Sequence, residues 1–316
     1  MKIRSLAIAS LFAVQLVRAT TITENFSSDP AADGWQVFGD TNLFQWNSAS
    51  NNLAVTWDSS QGNSYFYHPL GATFTTNDSF CVQFDLQIND AATLDYGLEL
   101  AIGLMHWSDA TNTLFSRPNT PSPNLFEFDY YPAYDFEGWA NPDTISASLV
   151  DAAANYRWNA DIQTLSPNTT IHVVLLHPAG STGISGVIYA NGQVMSTFPL
   201  VNNYYPTNDE GAFQFDTLAV INYADDGYGD ALLAHGTVGN LAFASPLPVE
   251  KIQATGPGLV QFNSDTNWLY TLEQSSDFQN WSAGAPPIFG NGTNLVLQAT
   301  NLPADKMFYR VRADLP

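Results

Sequence analysis

The chain has 316 residues, 45% of them hydrophobic and 13% aromatic, and a formal net charge of −21, with nine Lys and Arg against thirty Asp and Glu. That apolar content supplies a sizeable core, each buried Phe or Leu contributing about 1.5–3 kcal/mol, while the shortage of cations excludes the basic groove that nucleic acid or an anionic membrane requires. A single cysteine, Cys81, excludes an intrachain disulfide and with it the small stapled scaffolds of secreted proteins.

Residues 1–4 make a basic start and residues 5–17 an apolar run. The run is shorter than the ~20 residues of a spanning helix and has the proportions of a signal peptide. Val17 and Ala19 stand at the −3 and −1 positions of a cut after Ala19. The sequence therefore predicts a signal peptide over 1–19 and a secreted, extracellular chain without membrane insertion. Charge is uneven beyond that point. Thr20 to Val249 holds Arg117 and Arg157 against 24 acids, and the remainder holds Lys251, Lys306, Arg310 and Arg312 against six.

Alternation with a period of two then recurs, the mark of half-buried strands. Leu53, Val55 and Trp57 share one face, and Trp46 keeps the same step as core residues. Phe80, Val82, Phe84, Leu86 and Ile88 oppose Cys81, Gln83, Asp85 and Gln87. Leu98, Leu100, Ile102 and Leu104 form a third run, and Phe126, Phe128 and Tyr130 alternate with Glu127, Asp129 and Tyr131. Residues 147–156 suit a single helical turn. Residues 171–176 are apolar apart from His172, as a strand buried on both faces would be. Asn191-Gly192, between residues 186–190 and 193–197, reads as a type I′ hairpin turn, where both positions need φ > 0. Strands over 218–223 and 236–243 complete a large unit. Ser245-Pro246-Leu247-Pro248 reads as a linker, followed by short strands over 259–262, 268–273, 295–299 and 307–312, with Trp281 and Phe308 as their core. The prediction is an all-β protein: an antiparallel two-sheet jelly-roll sandwich over 20–246, then a small β module over 250–316.

Glu127-Phe128-Asp129 carries the strongest chemical signal. Residues i and i+2 of a strand share a face, so the two carboxylates project together, opposite Phe126 and Phe128, toward solvent. Two carboxyl groups about 5–5.5 Å apart are what a retaining glycosidase needs. Asp225-Asp226-Gly227-Tyr228-Gly229-Asp230 is an acidic turn without the spacing of an EF-hand. His68, His106, His172, His177 and His235 form no zinc pattern, and neither a G-x-S-x-G elbow nor a phosphate loop occurs. Trp107, Tyr131, Tyr134, Trp139 and Trp158 fall on polar faces or in loops, where an aromatic ring can stack on a sugar.

Asp33-Gly34-Trp35, Phe44-Gln45-Trp46, Tyr223-Ala224-Asp225-Asp226-Gly227 and His235-Gly236-Thr237-Val238, with Phe126-Glu127-Phe128-Asp129, resemble exported bacterial proteins of the concanavalin A-like lectin and glucanase superfamily. The resemblance covers roughly residues 22–246. It implies a two-sheet fold and two roles for the Glu-x-Asp strand. Glucanases of the superfamily use E-x-D-x-x-E, where this chain has Pro132 in place of the last acid, and Glu137 lies five residues beyond it. Legume lectins open a divalent-ion site with the same strand, which here points to Asp129 and Asp135 as ligands of Ca²⁺, a cation that takes six to eight oxygens. The expectation is a secreted carbohydrate-binding protein that holds an extracellular glycan or polysaccharide through Glu127, Asp129, Tyr131 and Trp139. A glycoside hydrolase or lyase with Glu127 and Asp129 as its catalytic pair, and a structural or adhesion protein without a small-molecule site, stand as alternatives.

Overall fold

A computed structural model describes residues 20–92, 100–115, 122–131, 134–136, 139–141, 144–181, 183–199, 211–224, 232–245, 249–266, 268–277, 280–300 and 307–314. In chain order the first strands are β1 (Thr20–Glu24), β2 (Gln36–Phe38), β3 (Phe44–Asn47), β4 (Asn52–Asp58), β5 (Ser64–Thr75) and β6 (Phe80–Ala92). Next come β7 (Leu100–Met105), β8 (Leu125–Tyr131), the paired β9 (Tyr134–Phe136) and β10 (Trp139–Asn141), β11 (Thr144–Val150) and β12 (Tyr156–Thr164). The sandwich closes with β13 (Thr170–His177), β14 (Ser185–Ala190), β15 (Gln193–Pro199), β16 (Gln214–Asn222) and β17 (Leu233–Ser245).

Among the described residues two large antiparallel sheets face each other. The eight-stranded sheet runs β15-β14-β13-β6-β17-β4-β3, with β1 also on β17, and the seven-stranded sheet runs β12-β11-β8-β7-β16-β5-β2. Alternation sends Phe80, Val82, Phe84, Leu86 and Ile88 of β6 inward against Ile102, Leu104, Phe126, Phe128, Leu218 and Val220 of the opposite sheet. Phe84 meets Phe128 edge to face at 5.4 Å, and the Trp57 indole N–H donates to the Ile221 carbonyl at 3.1 Å. The protein is thus the antiparallel two-sheet sandwich that the alternation predicts, with a small β module after it. The hairpin also forms as read: Ala190 pairs Gln193, with φ of 51° at Asn191 and 73° at Gly192.

The outer face of the eight-stranded sheet is also apolar near one end. Cys81, Val174, Leu176 and Ala244 pack beneath Phe262, Trp268, Tyr270, Leu272 and Val311. Those residues come from β18 (Val249–Gly256), β19 (Leu259–Ser264), β20 (Leu269–Ser275), β21 (Ser282–Ala283), β22 (Ile288–Phe289), β23 (Asn294–Gln298) and β24 (Phe308–Asp314), or lie beside them. They form a three-stranded sheet, β18-β19-β23, and a four-stranded one around β20. Burial pushes the Cys81 thiol up to about 12, against a smaller opposing effect of the Gln83 amide.

Several local expectations fail for physical reasons. Residues 147–156 are not helical: Thr144–Val150 is a strand held between β8 and β12. Trp46 is 38% exposed, because β3 is the last strand of its sheet and its indole N–H turns back to the Phe26 carbonyl. The β13 strand is only half-buried along its His172 face. Trp268, not Trp281, is the central tryptophan after Val249; Trp281 and Phe308 are half-buried, and Trp281 lies under the Arg310 guanidinium at 4.3 Å. Leu98, the acidic turn at 225–230 and residues 246–248 lie outside the described residues.

His177 ends β13 fully buried. Its Nδ1 lies 2.8 Å from the Asp78 carbonyl and its Nε2 2.9 Å from the Ser181 carbonyl. Burial lowers its proton affinity below the ordinary value, and the two carbonyls pull the other way.

Candidate functional site

Strand β8 lies between β7 and β11, so its outward side chains sit mid-sheet with neighbours on both sides. The register carries two rows across this outer face. One reads Tyr65, Ile221, Ala101, Asp129, Ser146, and the next Tyr67, Ala219, Gly103, Glu127, Ser148. Glu127 and Asp129 share a face, as their spacing requires, while Phe126 and Phe128 enter the core. The Ser148 hydroxyl lies 3.1 Å from Glu127 Oε2 and 3.0 Å from Asp129 Oδ2. It carries one hydrogen and donates to one acid at a time. The Tyr223 hydroxyl donates to Glu127 Oε1.

The pair does not face solvent as the alternation suggested. Glu127, Asp129, Ser146 and Ser148 are all fully buried. The reason is a second apolar layer on the outer face, which includes Tyr65, Phe115, Leu125, Val150, Ile221 and Tyr223. Segment 106–115 folds back over the sheet. Tyr65 donates to the Ala110 carbonyl at 2.9 Å, and Phe115 stacks on Tyr223 at 5.7 Å. Burial first, and the Glu127 charge second, raise the Tyr65 phenol above its ordinary range, so it stays a donor. In the centre the side chains are small: Ala101, Gly103 and Ala219. A Cβ on Gly103 would stand 1.8 Å from the Phe126 carbonyl oxygen.

The accessible part of this face lies toward β2 and β5. An open cleft of about 420 Å³ is lined by Gln36, Tyr67, Pro69, Trp107, Asp216 and Thr217, among others. Tyr67 stacks on Trp107 with centroids 4.1 Å apart and donates its hydroxyl to Gln36. Asp216 accepts from the Trp107 backbone N–H at 2.7 Å and from Thr217 at 2.9 Å. Behind the cleft a polar chain continues. His106 Nε2 is 3.6 Å from Asp216, His106 Nδ1 is 2.9 Å from Asp109, and Asn124 donates to Asp109 at 2.8 Å. The cleft thus joins an aromatic wall, which stacks on the C–H face of a sugar, to acceptors and amides that match hydroxyls.

Of the residues singled out from sequence, the structure places Trp107 in this cleft and Glu127 and Asp129 in the buried cluster. The side chains of Tyr131, Tyr134, Asp135, Trp139 and Trp158 lie outside the described residues, as do Pro132 and Glu137. Sequence reasoning missed Gln36, Tyr67 and Asp216, whose sole signal was an outward position on a strand, and Tyr65, Ser148 and Tyr223, which have meaning only once the sheet assembles.

No protein-family model matches the chain, and no curated protein matches it. Among solved structures it is similar to a peanut lectin solved with a 9-residue peptide, at 12% identity over 71% of this chain and 98% of that one, with a TM-score of 0.42. The Lotus tetragonolobus seed lectin shares 10% identity over 71% and 97% of the two chains at a TM-score of 0.42. The alginate lyase from Alteromonas sp. 272 shares 10% over 69% and 97% at 0.41. These similarities concern the course of the strands alone.

Proposed function

We propose that the chain is a secreted carbohydrate-binding protein that holds a neutral glycan in the cleft beside Tyr67 and Trp107. One observation carries the reading: a stacked aromatic pair and the Asp216 carboxylate line the same open hollow on the outer face of a sheet. Gln36 and Asp216 bond hydroxyls, and the ring pair stacks on the sugar. A neutral ligand follows from charge, since 24 acids and two bases between Thr20 and Val249 oppose a polyanion. Glu127 and Asp129 lie buried farther across the same face, three strands from Tyr67, and do not touch the ligand. Ca²⁺ at Asp129 and Asp135 belongs to the proposal as one arm of its test. The Tyr223 hydroxyl already occupies Glu127 Oε1, and the Ser148 hydroxyl occupies either Glu127 Oε2 or Asp129 Oδ2, so Asp135 would have to supply much of such a site.

A glycan array probed with the exported chain, with and without Ca²⁺, tests the reading. Binding of neutral oligosaccharides that falls about tenfold or more in Trp107→Ala, and persists in Glu127→Gln, supports it. Silence across the array ends it. Turnover of a bound glycan that vanishes in Glu127→Gln would favour the hydrolase or lyase alternative.

A further inference from the structure

The Tyr67–Trp107 cleft carries charge of one sign. Among the described residues Asp216 is the only charged side chain in its lining. Asp216 Oδ1 is occupied: the Trp107 backbone N–H donates to it at 2.7 Å and the Thr217 hydroxyl at 2.9 Å. Asp216 Oδ2 lies 3.6 Å from His106 Nε2, beyond hydrogen-bond length, and the side chain is 28% exposed.

His106 does not cancel that charge. Its Nδ1 lies 2.9 Å from Asp109 Oδ2, an oxygen that also accepts the Asn124 amide at 2.8 Å. Two carboxylates therefore flank one imidazole. A protonated ring leaves one negative charge over, and a neutral ring leaves two. Among the described residues no lysine or arginine answers it from this side. Arg157 stands on β12, at the opposite edge of the seven-stranded sheet from β5 and β2. Arg310 and Arg312 belong to β24, among the strands packed on the other sheet. Arg117 lies outside the described residues.

The polar groups of the lining are also short of hydrogens to give. The Tyr67 hydroxyl gives its hydrogen to Gln36 Oε1, and the Thr217 hydroxyl gives its own to Asp216. What these hydroxyls and Asp216 Oδ2 have left is the capacity to accept. A group with several donors, no acceptor and a positive charge complements that set, and an ammonium is such a group. Its bond to a carboxylate is charge-assisted, and the faces of Tyr67 and Trp107, stacked at 4.1 Å, attract a cation as well as a sugar ring.

We infer that this cleft ranks a glycan bearing a protonated amine, an amino sugar unit, above the neutral glycans it takes by stacking, with the ammonium on Asp216 and the ring against Tyr67 and Trp107; this rests on the glycan reading of the same cleft and adds the charge of the unit it prefers. Surplus acid that repels a polyanion draws such a unit in.

Calorimetric titration of the full chain with a chitosan trimer, beside its fully N-acetylated neutral counterpart, tests this. The amino form should bind about tenfold tighter, and high salt should narrow the difference. A net charge of −21 attracts any polycation, so single charges are removed in turn. Asp216→Asn, which keeps an oxygen for the Trp107 N–H, should bring the two trimers to within about twofold of each other. Asp109→Asn, which removes a charge behind the lining, is the second probe and should narrow the gap by a smaller factor. Asp90→Asn, at an exposed acid of the eight-stranded sheet, should leave the preference unchanged, and Trp107→Ala should weaken both trimers. Equal affinity for the two trimers overturns the inference, as does a preference that survives Asp216→Asn or falls as far in Asp90→Asn. N-acetylated trimer bound without any preference would leave the glycan reading standing, whereas silence of both trimers together with the neutral array ends both.

Discussion

The two sheets have inner faces of one kind and outer faces of two kinds. Outside the eight-stranded sheet, Cys81, Val174, Leu176 and Ala244 are apolar and are covered by the strands that follow Val249. Outside the seven-stranded sheet, the same depth of burial encloses carboxylates and hydroxyls: Glu127, Asp129, Ser146, Ser148 and Tyr223. An outer face that buries carbon is a fastening. An outer face that buries carboxylates takes on a desolvation cost, which is offset only if each oxygen finds a donor. Such a cost is met where a surface must be shaped, and the open cleft adjoins it.

The largest expected contrast concerns the fastening. In the intact chain Cys81 should resist a thiol reagent, its thiol being pushed up to about 12. In a chain ending at Ser245, with circular dichroism confirming the sheets, its thiolate fraction should rise by roughly three orders of magnitude and labelling should become rapid. Unchanged protection would mean that the sandwich shields the thiol by itself. Next in size are the two faces of β8. Phe128→Ala should cost about 3–5 kcal/mol in a urea titration, whereas Glu127→Ala, which removes the carboxylate that the Tyr223 hydroxyl donates to and leaves Ser148 with Asp129, should cost about 1–3 kcal/mol. Equal costs would erase the distinction between the packed side and the polar side.

The smallest effect is that of pH at His177, whose folded-state proton affinity is lowered by burial. The unfolded ring takes up a proton near pH 6.5 and the folded ring only at lower pH. Its stabilising contribution is therefore complete above about 6.5 and is lost as the pH falls toward the folded value, by less than about 1.4 kcal/mol per pH unit. His177→Gln should flatten that part of the urea-midpoint profile, and an unchanged slope would remove His177 as its cause.

Alternation made the sandwich readable because burial on a strand is a local pattern: Phe80 to Ile88 and the Asn191-Gly192 turn state their geometry within a few residues. The fate of Glu127 was not local. Its partners Ser148 and Tyr223 lie 21 and 96 positions away, so nothing in the strand itself announces that its polar face is sealed. Trp46 and Trp57 illustrate the same limit. Both keep step with apolar neighbours, yet Trp57 is wholly buried and Trp46 is not, because burial depends on a strand's rank in its sheet. The cleft was visible from sequence only through Trp107. Gln36, Tyr67 and Asp216 come from separate strands, and no spacing rule joins them.

Gly103 has a consequence for how this protein can change. Any side chain there would collide with the neighbouring backbone, so the middle of the face cannot be filled in without parting β7 from β8. Innovation is left to the borders, where Gln36, Tyr67 and Trp107 can be exchanged one at a time. On the proposed reading, a lineage descending from this chain can alter its taste in ligands at the rim while the middle of the face stays as it is.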